Sequence, residues 1–124
     1  MGLFSSASNT SIPFPWKHIT SLEELETAWA ASADKPAVFF KHSTRCSISS
    51  MALRGFQSDW NLGEMRFGLY YIDLIAHRDV SNALAEKAGV VHQSPQVIVV
   101  QSEKSIYNAS HEQIQADKIV SLTV

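Results

Sequence analysis

The 124-residue sequence predicts an α/β domain with a central mixed β-sheet flanked by helices. Three observations carry that expectation. Apolar runs of strand length at 37–41, 67–73 and 96–100 alternate with segments whose apolar residues recur at helical spacing. The last run is followed by the polar turn Gln101-Ser102-Glu103-Lys104 and a second β-prone run, so a hairpin joins the crossovers. An apolar share of 45% is enough to close one core at this length.

The first 15 residues carry Ser, Asn, Thr and the prolines Pro13 and Pro15, and read as a flexible N-terminal lead-in to one domain over 16–124. Lys17-His18-Ile19 is a short strand. Thr20 or Ser21 then caps a helix over 22–32, with Glu23 and Glu24 in its first turn and Leu22, Leu25, Ala28 and Trp29 as its buried face. After Asp34-Lys35-Pro36 the run Ala37-Val38-Phe39-Phe40-Lys41 has the character of a central strand covered on both faces. Residues 43–45 form a turn into a helix over 46–56, with Ile48, Met51, Ala52 and Phe56 on one side. The run at 67–73 is a second buried strand. A helix over 79–88 follows, with Asp79 as its candidate cap and Gly89 placed to stop it. The strand at 96–100 pairs with 105–109, and a terminal helix over 111–122 presents Ile114, Ile119 and Leu122.

A net charge of −2, with no run of Lys or Arg, carries no nucleic-acid or membrane-surface footprint. The single cysteine excludes an internal disulfide framework and a cysteine-clustered metal site, and suits the reducing cytoplasm. No segment approaches membrane-spanning length, and residues 1–8 lack the charged and apolar regions of a secretory signal. Gly2 and Ser6 satisfy a short acylation pattern, for which a frayed terminus is the better reading.

Cys46 is placed where a buried strand passes into a helix. Unsatisfied backbone N–H groups and the positive helix end converge there, which favours the thiolate, the attacking species in thiol–disulfide exchange. Arg45 adds positive potential if it turns toward the sulfur, and Ser49 offers a hydroxyl or an N–H. The helix terminus ranks first, because an exposed neighbouring charge is screened. Ser43, Thr44, Arg45, Ser47, Ser49 and Ser50 make the surroundings polar, unlike the core position an inert cysteine takes.

Ser94-Pro95, directly before a strand, is a candidate cis peptide that would present the Ser94 backbone to an extended partner segment near Cys46. A trans proline at the first strand position is the alternative. His92, three residues earlier, belongs to the loop expected to approach Cys46. The spacing of His42, His77, His92 and His111 matches no metal-ligand pair, and capping or hydrogen bonding is their expected role. Asp73 reads as a turn acceptor.

A strand, a turn ending in Cys46 at a helix start, and a later X-Pro before a hairpin and a terminal helix look like the thioredoxin fold, and four segments in order, His42-Ser43-Thr44-Arg45-Cys46-Ser47-Ile48-Ser49, Tyr71-Ile72-Asp73-Leu74-Ile75-Ala76-His77-Arg78-Asp79-Val80-Ser81-Asn82, Gly89-Val90-Val91-His92-Gln93-Ser94-Pro95-Gln96-Val97 and Ala109-Ser110-His111, carry a closer likeness over roughly 16–120. More narrowly, the chain resembles the bacilliredoxin family of the YtxJ type, monothiol thioredoxin-like proteins of bacteria that use bacillithiol. Ser47 replaces the proline of that family's Cys-Pro-Ile-Ser pattern, and Ser49 stands where dithiol relatives carry the resolving thiol. The resemblance implies that Cys46 takes bacillithiol, or a similar low-molecular-weight thiol, from mixed disulfides on S-thiolated client proteins. A second thiol or a partner reductase then releases the adduct. No cofactor is bound in this scheme; the small thiol is a co-substrate. Arg45, Ser47 and Ser49 would stabilise the thiolate, while Thr44, His92, Ser94 and Pro95 would meet the substrate. The turn around Cys46 also resembles that of arsenate-reductase-like proteins, although Arg54, Arg66 and Arg78 are poorly placed for oxyanion chemistry. A non-catalytic thioredoxin-fold adaptor is the reading from a different class.

Overall fold

A computed structural model describes residues 14–61 and 66–122, so nearly all of the expected lead-in, with Gly2 and Ser6, lies outside the described residues. Strands β1 (Lys17–His18), β2 (Ala37–His42), β3 (Gly68–Asp73), β4 (Gln96–Gln101) and β5 (Lys104–Ser110) form one sheet in the order β1-β3-β2-β4-β5. β1, β3 and β2 run parallel, whereas β4 is antiparallel to β2 and β5 to β4. The sheet is mixed, as expected from crossovers followed by a hairpin. Helices α1 (Leu22–Ala31), α2 (Ser47–Asp59), α3 (Arg78–Ala88) and α4 (Ala116–Val120) complete the architecture.

Alternation along β2 and β4 sorts the core into two layers. Phe39, Ile98 and Val100 join Leu25, Trp29, Val80 and Leu84 on the side of α1 and α3. Phe40, Val97 and Val99 join Phe56, Trp60 and Ile119 on the side of α2 and α4. Every residue of β2 is buried, including Lys41 and His42 at its end. By the same alternation, Lys41 points into the α1/α3 layer and His42 into the α2 layer.

Local chemistry sets the helix ends. Ser21 caps α1 by accepting the Glu24 N–H at 3.1 Å, and Glu24 Oε1 accepts the Thr20 N–H in return at 2.6 Å. Gly89 ends α3 in the left-handed region at φ 69°, and Val90 N–H donates back to the Ala85 carbonyl.

Several expectations need correction. Leu22 is 47% exposed and leaves the buried face of α1 to Leu25, Ala28 and Trp29. α2 starts at Ser47 with Cys46 as its N-cap, and runs on to Asp59. Its inward stripe is Ser49, Ala52, Leu53 and Phe56, continued by Trp60, so Ile48 and Met51 are left exposed. His77, not Asp79, is the N-cap of α3; Asp79 Oδ1 accepts the adjacent Val80 N–H at 2.8 Å. The terminal segment is not one helix. His111 takes φ 57° and opens a 3-10 turn over His111–Gln113, extended backbone at Ile114 and Gln115 interrupts it, and α4 follows. Among the described residues no helix is long and apolar enough to cross a membrane.

Candidate active site

β2 and β3 end, and β4 begins, at the same end of the sheet. The loops carrying Cys46 and Pro95 therefore leave neighbouring strands side by side. Cys46 is half-buried and unpaired by any disulfide. Its N–H donates to the Ser43 carbonyl at 3.2 Å, closing the turn over 43–46, and its own carbonyl accepts the Ser50 N–H at 3.0 Å to begin α2. At an N-cap, a side chain stands where it can accept the N–H of the second or third helical residue. The Cys46 side chain makes no capping hydrogen bond; a thiolate turned toward the helix would meet the free N–H groups of its first turn. Thr44, Arg45 and Ser47 are exposed, and the Arg45 side chain makes no hydrogen bond or ion pair with a described residue.

Ser49 lies directly beneath the turn, fully buried. Its Oγ accepts the Ser43 N–H at 3.0 Å and lies 2.7 Å from His42 Nδ1. Burial holds the His42 imidazole below its ordinary range, opposed by the negative charge of Asp73. The hydroxyl expected to reach the sulfur is thus engaged in locking the turn that carries it. Asp73 Oδ1 accepts the Ile75 and Ala76 N–H groups, the turn role read from sequence.

The Ser94-Pro95 peptide is cis. Pro95 is buried and its carbonyl accepts the His111 N–H at 3.1 Å, while Ser94 is half-buried. Gln96 braces the loop from inside: its Nε2 donates to the Val91 carbonyl and its Oε1 accepts the Gln93 N–H. Val91, at 78% exposure, joins Ile48 and Met51 as a large apolar side chain left in solvent at this end.

On the other face of the sheet, Lys41 Nζ lies 3.1 Å from His92 Nδ1, and Ser81 Oγ lies 3.5 Å from the same nitrogen. Burial lowers the Lys41 ammonium to about 8. Burial, then the charges of Lys41 and Arg78, keep His92 below the usual imidazole range. Sequence reasoning singled out His92 but passed over Lys41, Ser81 and His42's partnership with Ser49. The available signal was Lys41 itself, a charge in a strand read as covered on both faces. Arg66 is engaged elsewhere, donating to the Leu122 carbonyl and lying 5.5 Å from the Phe67 ring centroid. Of the three arginines that follow Cys46, Arg78 opens a helix at the Cys46 end of the sheet. Two concavities, of about 520 and 460 Å3, run along the β1 edge and are lined by Tyr70 and Lys17; neither is lined by Cys46. Among the described residues no group of His, Cys, Asp and Glu is arranged to hold a metal ion.

Comparison with known proteins agrees with this geometry. The sequence pattern of the family described as monothiol bacilliredoxin BrxC matches residues 17–119. A solved structure described as a candidate oxidoreductase with a thioredoxin fold is 27% identical, with a TM-score of 0.72 over 83% of this chain and 88% of its own. The thioredoxin of Malassezia sympodialis (Mala s 13) is 16% identical, with a TM-score of 0.66 over 88% of each chain. Thioredoxin f from spinach chloroplasts is 12% identical, with a TM-score of 0.64 over 89% of this chain and 91% of its own. The fold is thioredoxin-like, and the matching family and the 27% identical oxidoreductase support thiol redox function.

Proposed function

The chain belongs to the monothiol bacilliredoxin family, and from that membership we propose that Cys46 removes bacillithiol from mixed disulfides on client proteins in the cytoplasm. The observation that carries the reading is the placement of the one cysteine at the N-cap of α2, half-exposed and beside the Pro95 loop. The Cys46 thiolate attacks the bacillithiol sulfur; the client thiolate leaves with the electron pair of the broken S–S bond and takes a proton from water. A new disulfide now joins Cys46 to bacillithiol. With Ser49 where a resolving thiol would stand, an outside thiolate attacks the bacillithiol sulfur, frees Cys46 and is itself oxidised to a disulfide. A low-molecular-weight thiol or a partner reductase supplies it.

In this scheme the N-terminal donors of α2 hold the thiolate, and Arg45 and Ser47 lend polar surroundings. Ser49 acts through the turn it anchors. Thr44, the Ser94-Pro95 edge and exposed Ile48, Met51 and Val91 receive the client, and His92 meets the small thiol. The test is incubation with a bacillithiolated protein, read by intact mass. We expect a bacillithiol adduct on Cys46 to appear as the client is reduced, and Cys46→Ser to abolish both. Full activity in Cys46→Ser would refute the proposal.

A further inference from the structure

The scheme above leaves Lys41, Ser81 and Arg78 without a role, though all three lie at the Cys46 end of the sheet. Lys41 is fully buried. A buried ammonium costs stability that an apolar side chain of the same length would not, so its presence calls for a reason. Its contact is not a carboxylate but the ring of His92. An ammonium only donates, so Nδ1 accepts and the neutral ring carries its proton on Nε2. Lys41 and Ser81 therefore present His92 as a donor with one fixed tautomer. Arg78 opens α3 three residues before Ser81, on the helix face whose hydroxyl reaches the ring, so two cations, Lys41 and Arg78, stand on the His92 side of the sheet. Asp79, beside Arg78, turns its Oδ1 to the Val80 N–H of its own helix. The result is a half-buried donor with the cations Lys41 and Arg78 on its side of the sheet.

Neighbouring strands lie about 4.8 Å apart. A ligand of a few bonds, tethered by sulfur to Cys46, spans the distance between loops that leave β2 and β4 side by side. We propose that His92 Nε2–H and the Arg78 guanidinium receive a carboxylate of the small thiol attached to Cys46, with Lys41 and Ser81 as positioning residues behind His92. The inference rests on the thiol-exchange reading and names the residues that would select an anionic small thiol at that site. The carboxylate answers both the cations and the fixed donor, which a neutral or cationic thiol does not.

The test uses three small disulfides of different charge: oxidised glutathione (anionic), hydroxyethyl disulfide (neutral) and cystamine (cationic). In each case the Cys46 thiolate attacks one sulfur, the second leaves as a thiolate, and intact mass gives the rate of adduct formation. Rates are divided by those of a free cysteine amide, to remove intrinsic reactivity. We expect the anionic disulfide to lead and the cationic one to trail. Arg78→Glu should narrow the anionic-to-cationic ratio about tenfold, as expected of reversing one exposed charge beside a charged ligand. Lys41→Met should release the His92 tautomer, read from its imidazole 15N shifts, and narrow the same ratio. Equal normalised rates for all three disulfides would overturn the carboxylate site while leaving thiol exchange intact. A Cys46 that reacts with none of them would overturn both.

Discussion

Ser49 holds two groups at once, the part-buried Ser43 N–H and the buried His42 ring. Ser49→Ala strips both of that partner where water does not replace it, and we expect a loss of about 1–3 kcal/mol in urea unfolding with the slope unchanged. Slower exchange at Cys46 should accompany it, since the turn carrying the sulfur loosens. The position of Cys46 was legible in the sequence because a strand, a polar turn and a helix start are local signals. The role of Ser49 was not. Ile48 and Met51 are the stronger hydrophobes, and only the packing of Phe56 and Trp60 against the sheet shows that the inward stripe passes through Ser49. Lys41 repeats the lesson: its charge was visible in the sequence, but His92 lies 51 residues away.

At the scale of elements, the start of α2 holds Ser47 where the Cys-Pro-Ile-Ser pattern that the sequence resembles has proline. Ser47 is the first helical residue, whose N–H has no intrahelical acceptor, and proline's fixed φ suits that position. The preceding Cys46, at φ −116° and ψ 121°, already occupies the extended region that a residue before proline requires. Ser47→Pro is therefore expected to raise stability by about 0.4–1 kcal/mol through the unfolded chain, checked by the urea midpoint. Gly89→Ala tests the other kind of helix end. Nothing lies within 4 Å of the added Cβ, so the φ of 69° alone sets the penalty, about 1 kcal/mol by the same measurement. Gly89 as a helix stop and the hairpin at 101–104 were readable because each is written in a few adjacent residues. The break between His111 and Ala116 was not. A positive φ at histidine, with its N–H on the Pro95 carbonyl, is a tertiary choice that helical periodicity at Ile114 and Ile119 conceals.

Over the whole molecule, the groups gathered at the Cys46 end shape the response to pH. His42 and His92 are held below their ordinary range, so below about pH 6.5 the unfolded chain binds more protons and stability is lost as the pH is lowered. On the alkaline side Lys41 acts in the opposite window. Its ammonium is lowered from 10.5 to about 8, so between those values the unfolded chain again holds more protons and stability rises with pH. Burial raises Tyr70 and Tyr71 above 10, so the unfolded chain loses those protons first and stability falls again beyond that point. Lys41→Met isolates the middle limb. Replacing a fully buried cation by an apolar side chain of matching length should stabilise the fold at pH 7 by about 1–3 kcal/mol. That advantage should shrink steadily from pH 8 toward pH 10, as the wild-type lysine sheds its proton and the difference between the two proteins disappears. Urea unfolding of both proteins across that range is the measurement. A gap that stays constant with pH would mean that Lys41 is not held down by burial. A gap that closes, together with the loss of charge discrimination in the same variant, would show a stability sacrificed to keep one imidazole in a fixed tautomer beside the thiol.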